Sequence, residues 1–144
     1  MVINGEEQTV GSDRAGVVRA IRNEEDKPQP ISVRIISMNV TANSLTINFS
    51  AVGTGKLQDA DIIACIVDDA DQSSVLRGEN SGRTLTHVGV ARLLERIAKL
   101  RPVSQQTVQI PLPPSFRTSQ KHHVILFAQT TVNGEVLGAD TQAL

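Results

Sequence analysis

The residue pattern predicts a mainly β protein: an antiparallel two-sheet β-sandwich of the immunoglobulin or fibronectin kind, with one helical crossover, preceded by a small β-hairpin and a helix. Three observations carry this expectation. Leu45, Ile47, Phe49 and Ala51 alternate with Thr46, Asn48 and Ser50, the period of a strand with one buried face. Asn-Gly pairs at Asn4-Gly5 and Asn133-Gly134 each separate two extended runs, and both residues of such a pair tolerate the positive φ of a type I′ hairpin turn. Strand-like runs, about seven of them, recur with turn residues at short spacing, as in a sandwich.

The elements follow in order. Met1 to Val10 forms the first hairpin around Asn4-Gly5. Ser12 or Asp13 then caps a helix running to about Arg22, with Val17, Val18 and Ile21 on one face. Asn23 to Pro30 is charged, carries two prolines and contains no apolar residue, so it reads as a linker and divides the chain into residues 1–27 and 28–144. Ile31 to Val40 pairs with the alternating strand across Thr41-Ala42-Asn43-Ser44. Asp61 to Val67 is apolar on both faces, as expected of a central strand, and holds Cys65. Gln72 to Arg77 is a short partner strand. Over residues 87–100 the apolar positions Val90, Leu93, Leu94, Ile97 and Leu100 follow a helical stripe, with Thr86 as N-cap and Pro102 as stop. Thr107 to Leu112, followed by Pro113-Pro114, suits a sheet edge. Lys121 to Val132 and Glu135 to Asp140 make the last hairpin.

Composition narrows the function classes. The chain has 144 residues and a formal net charge of -1, which fits one ordinary domain and gives no electrostatic reason to bind nucleic acid. Three Phe are its only aromatics, so the ring platforms on which single-stranded nucleic acids stack are scarce. One cysteine cannot close an intrachain disulfide or build a Cys-rich zinc site. With no Trp either, the immunoglobulin-like expectation rests on strand count and alternation alone. No apolar run approaches the ~20 residues of a membrane span.

The candidate site is the polar, glycine-containing stretch from Arg77 to His87. Free N–H groups at the start of the following helix, beside Arg83 and His87, favour a small anion, and Glu79, Asn80 and Arg92 complete the candidate set as ligand or structural residues of the loop. The commoner fate of such side chains is to bond loop backbone and hold a crossover in place, and both readings stand. His122 and His123 point to opposite faces of a strand, each solvated or capped, and cannot chelate one metal in the usual way. Asp68-Asp69-Ala70-Asp71 lacks the glycine and distal Glu of a calcium loop and reads as a turn closing a hairpin. Arg92, Arg96 and Lys99 form a basic stripe, expected to be solvated on the outer face of the helix. Cys65 is expected to be buried and inert, and no Gly-x-Ser-x-Gly elbow occurs, so no enzyme activity, cofactor or metal is expected.

Two stretches resemble a bacterial, secreted, thioredoxin-like family of unknown function: Met1-Val2-Ile3-Asn4-Gly5 with Val10-Gly11-Ser12-Asp13-Arg14, and Gly78 to His87 with Val90 and Arg92, while Val136-Leu137-Gly138-Ala139 is similar to the family's closing strand. The resemblance implies that residues 1–27 are the last hairpin and helix of a thioredoxin-like domain. It implies a β-rich C-terminal domain after them and a periplasmic or secreted parent. The family's Cys-x-x-Cys half is absent here, so no redox activity carries over and the chain is expected to be a truncated form. A hairpin and one helix are too small to be stable alone. The remnant is therefore expected to pair with its copy in a homodimer, and the whole to act as a non-enzymatic accessory or interaction module with a possible protein partner. The alternative is a small-anion or ligand-binding module using residues 78–87.

Overall fold

The computed structural model describes residues 1–53, 58–101, 103–114, 116 and 121–144, with only the backbone of Val103 and Ser104. Strands make up 57% of the described residues and one helix 9%, so the chain is mainly β, with several antiparallel sheets and none closed.

A two-stranded hairpin, β1 (Val2–Ile3) with β2 (Glu7–Gln8), opens the chain. Its turn is the expected one, with Asn4 at φ 53° and Gly5 at φ 81°. Helix α1 (Arg14–Glu25) follows, and the Asp13 carboxylate accepts a hydrogen bond from the Gly16 N–H at 3.0 Å. Two expectations about this helix change. It runs through Asn23, Glu24 and Glu25, shortening the linker, and its buried positions are Gly16 and Ala20, while Val18 and Ile21 stay exposed. A Cβ on Gly16 would press on the Asp13 carboxylate that caps the helix, 2.3 Å from its Oδ2, so a glycine suits this inward position.

Strands β3 (Ile31–Val40) and β4 (Ser44–Gly53) form the expected hairpin. The alternation in β4 is fully realised: Leu45, Ile47, Phe49 and Ala51 are all 0% exposed. β5 (Ala60–Asp68) is central, lying between two other strands and burying Cys65. Beyond it, β6 (Asp71–Ser74) pairs with β7 (Thr84–His87) in a sheet of their own.

The expected helix over residues 87–100 is a strand, β8 (Val90–Lys99), paired antiparallel with β5. Two bulges explain the misleading pattern. The pairing steps from Val67↔Ala91 to Ile66↔Leu93 and from Ile63↔Arg96 to Ile62↔Ala98, leaving Arg92 and then Ile97 as extra residues. Each extra residue breaks the period of two, so the less exposed positions Val90, Leu93, Ile97 and Leu100 fall three, four and three apart and imitate a helix. Thr86 is accordingly a strand residue and caps nothing, and Pro102 lies outside the described residues.

The order in which β5 continues past the sheet also departs from expectation. Asp68 pairs with Val90, and three residues further on Asp71 pairs with His87, so β6 and β7 resume the β5–β8 ladder in the same register after a short interruption. Asp68 to Asp71 is therefore the root of a two-stranded arm, not a closing turn. β9 (Val103–Pro111) pairs with β4 alone, the expected edge. β10 (His122–Thr130) and β11 (Val136–Ala143) complete the last hairpin, in which Gly134 takes the positive φ.

The sheet orders are β11-β10-β5-β8 and β3-β4-β9. Both sheets feed one apolar cluster, with Ile31, Ile47, Phe49 and Ile110 from one and Ile62, Ile66, Val124 and Leu126 from the other. Gly138 lies against the start of β3, where a Cβ would sit 2.0 Å from the Ile31 carbonyl oxygen. The N-terminal hairpin docks on the last one: the Val136 N–H donates to the Asn4 carbonyl at 2.9 Å, and a Cβ on Gly5 would meet the Gly134 carbonyl oxygen at 1.9 Å.

Candidate functional site

The densest polar cluster lies at the root of the β6–β7 arm, where β5, β6, β8 and β10 bring titratable side chains together. Asp68, the last residue of β5, is 4% exposed. Opposite it in the ladder stands His122, the first residue of β10, whose imidazole donates from Nδ1 to Asp68 Oδ1 at 2.8 Å. The same ring stacks on Phe116, with centroids 4.5 Å apart and planes 28° apart. From the other side, Arg92 donates from Nε to Asp68 Oδ2 and from Nη2 to Asp71 Oδ2, each at 2.5 Å.

The bulge in β8 is what makes this geometry possible. As an extra residue unpaired with β5, Arg92 is turned from the strand's regular course, and its planar guanidinium spans two carboxylates that belong to different strands. Taking the Asp68 carboxylate out of water is costly, and Arg92 with His122 supplies the charge and donors that offset it. Around Asp71 the Gln72 backbone N–H and then Arg92 hold the carboxyl below its ordinary pKa, and the hydrogen bonds that Arg92 donates to Asp68 and Asp71 raise its own.

The two neighbouring pairs extend the cluster. His123, on the opposite face of β10 from His122, hydrogen-bonds through Nδ1 to Oδ1 of Asp69, the residue just past β5. On the arm, Ser73 Oγ and His87 Nε2 are 2.7 Å apart. All three histidines of the chain thus make polar contacts at or beside the arm's root. Chemically, these contacts orient rings and neutralise carboxylates, which fixes the direction in which the arm leaves the body.

The residues singled out from sequence divide into two groups. His87 and Arg92 belong to the root. Glu79, Asn80 and Arg83 sit in the exposed turn at the far end of the arm, where the Arg83 N–H donates to the Asn80 carbonyl at 3.1 Å and Arg83 Nη1 reaches Asn80 Oδ1 at 3.5 Å. Three residue steps of extended strand take Thr84 to His87, about 10 Å at strand rise. The anion site expected there needed a helix start at residue 87, and β7 and β8 supply none. The basic stripe is also paired: besides Arg92, Arg96 reaches Asp61 at 3.3 Å and Lys99 reaches Asp59 at 3.6 Å. His122 is buried against Asp68, so it is capped rather than solvated, while the expected opposite orientation of the two histidines holds. Cys65 is buried as expected, and burial raises the pKa of its thiol.

Asp68, Asp71 and His122 were not legible as a site. The available signal was the pairing of two polar strand ends, Asp68-Asp69 and His122-His123, both at the edge of otherwise apolar runs.

Residues 1–129 match DUF1223, a protein of unknown function. The chain belongs to the DUF1223 family. No curated protein matches it. Among solved structures this DUF1223 chain is similar to a β-glucosidase from Kluyveromyces marxianus, at 16% identity over 87% of the chain with a TM-score of 0.34. The glucose complex of β-glucosidase from that organism aligns at 16% identity over 79%, with a TM-score of 0.32. The chain spans only 16% and 14% of those two structures, and likenesses this distant carry no argument about what the DUF1223 chain does.

Proposed function

We propose that this DUF1223 chain is a non-enzymatic interaction module built on a two-sheet β-sandwich of immunoglobulin or fibronectin type. The sheet orders β11-β10-β5-β8 and β3-β4-β9, with one apolar cluster drawn from both, support the sandwich. Residues 1–27 act as the contact unit and residues 28–144 as the body that carries it. In the same reading the contact unit derives from a thioredoxin-like domain, as its resemblance over Met1–Gly5 and Val10–Arg14 supports, and the parent protein is periplasmic or secreted.

One observation carries the function. Among the described residues, five large apolar side chains of the 27-residue N-terminal unit, Met1, Val2, Val10, Val18 and Ile21, are 40–69% exposed, against seven scattered over the much longer body. So much apolar surface on so small a unit marks a contact face. The occupant we assign is the same unit of a second copy, giving a homodimer. Light scattering at roughly tens of micromolar tests it. The intact chain should be dimeric, and Val18→Glu with Ile21→Glu should be monomeric and still melt cooperatively, because both side chains are exposed in the single chain. A monomeric intact chain, or a double variant that stays dimeric, overturns the proposal. A disulfide-reductase rate abolished by Cys65→Ser would overturn its non-enzymatic part. The anion-binding alternative is not carried forward, since the helix terminus it required is a strand.

A further inference from the structure

Between the N-terminal unit and the start of β11 lies a crevice of about 290 Å³, at the small end of the range for ligand sites. Ile3, Ile21 and Val136 supply apolar lining, and Glu24, Lys27 and Glu135 supply charge. The Glu24 side chain is only 9% exposed. Its Oε2 accepts from Asn4 Nδ2 at 2.9 Å, and its Oε1 accepts from Lys27 Nζ at 2.6 Å.

A carboxylate so enclosed requires a cation. The one it has is Lys27 on the crevice lining, whose side chain is 54% exposed and whose ammonium also lies 3.9 Å from Glu6 and in the field of Glu135. Three carboxylates therefore converge on one ammonium, and that ammonium ends a mostly exposed side chain that water can receive once another cation takes its place at Glu24. Carboxylates hold a group with N–H donors better than one without, and the crevice lining contains no aromatic ring to cage a quaternary ammonium.

We propose that the crevice binds a primary ammonium group on a short alkyl chain, which takes the Glu24 carboxylate from Lys27 and lays its methylenes against Ile3, Ile21 and Val136. Lys27 is then the resident competitor. The crevice shares Ile21 with the proposed dimer face but not Val10 or Val18, so a monomeric intact chain would overturn the dimer and leave the crevice open to the titration.

The test is an NMR titration of the full chain with n-butylammonium, with N-acetyl-lysine methylamide as a second arm. Saturable shifts at Ile3, Ile21 and Val136 with a millimolar Kd are expected. Tighter binding in the first arm points to a free amine, and in the second to a lysine side chain of a peptide. Lys27→Ala should tighten binding several-fold, and Glu24→Gln should weaken it at least tenfold. Because Glu24→Gln could also loosen the N-terminal docking, Glu135→Gln serves as a second variant, with a few-fold loss expected and the Asn4–Val136 hydrogen bond retained. Absence of saturation, equal binding of tetramethylammonium or butanol, or weaker binding in Lys27→Ala overturns the proposal.

Discussion

Strands β4 and β8 are both ten residues long and both border a central ladder, yet only one kept the pattern expected of a strand. β4 is paired on both sides, with β3 and β9, and its four inward residues are completely buried. β8 is an edge, paired only with β5, and accommodates two bulges. A strand held from two sides cannot insert a residue without breaking a ladder, so its period of two survives in the sequence. An edge strand is free to bulge, which loses the period but releases a side chain for other work. Arg92 is that side chain. The polar arm root thus exists because β8 is irregular, and the apolar core exists because β4 is not.

The strongest way to stress the contrast is to empty the regular side. Phe49→Ala should cost about 3–5 kcal/mol, since the ring is fully buried between packed strands and cannot be replaced by water or by collapse of a two-sided ladder. Urea denaturation measures it, and a cost below about 1 kcal/mol would show that β4 does not anchor the core.

On the irregular side, Asp68→Ala should cost less, about 1–3 kcal/mol. It removes the carboxylate that accepts from His122 Nδ1 and Arg92 Nε, but Arg92 is nearly half exposed and can turn to water, so the full penalty of a broken buried pair does not apply. Faster amide exchange across β6 and β7, with β4 unaffected, is the expected signature. Uniform acceleration would mean that Asp68 supports the body rather than the arm.

Acid should act at the same place. Asp71 has a folded pKa below its unfolded value, because the Gln72 N–H and Arg92 favour the ionised form. The contact is therefore complete above the unfolded value, about pH 4, and is lost as pH falls through the lower folded one. The NMR shifts of β6 and β7 should move in that acid window, and Asp71→Asn should abolish the movement. A profile identical in the variant would remove Asp71 from the root.

The smallest effect discriminates most sharply between strand and helix. Leu94 lay on the apolar stripe of the expected helix, yet as a β8 residue it is 66% exposed. Leu94→Lys should change stability by no more than about 0.5 kcal/mol. A loss of several times that would restore the helical reading of residues 87–100.

What the sequence determined by itself is local or two-sided. Asn4-Gly5 dictated a turn because few residue pairs accept its backbone angles, Ser12-Asp13 dictated a helix start, with Asp13 supplying the carboxylate, and the alternation in β4 dictated a buried face. The same logic placed Cys65 inside a central strand and sent His122 and His123 to opposite faces. The tertiary structure alone decided the rest. Val90 to Lys99 carries residues that suit a helix, but pairing with β5 overrode that preference, since backbone hydrogen bonds to an already buried neighbour outweigh tenths of a kcal/mol per residue in propensity. Arg92, Asp68 and His122 lie 24 and 54 residues apart along the chain and meet only when β5 has taken β8 on one side and β10 on the other. Such a site depends on register between strands distant in sequence, and register is set by how the whole core packs rather than by any residue's own preference.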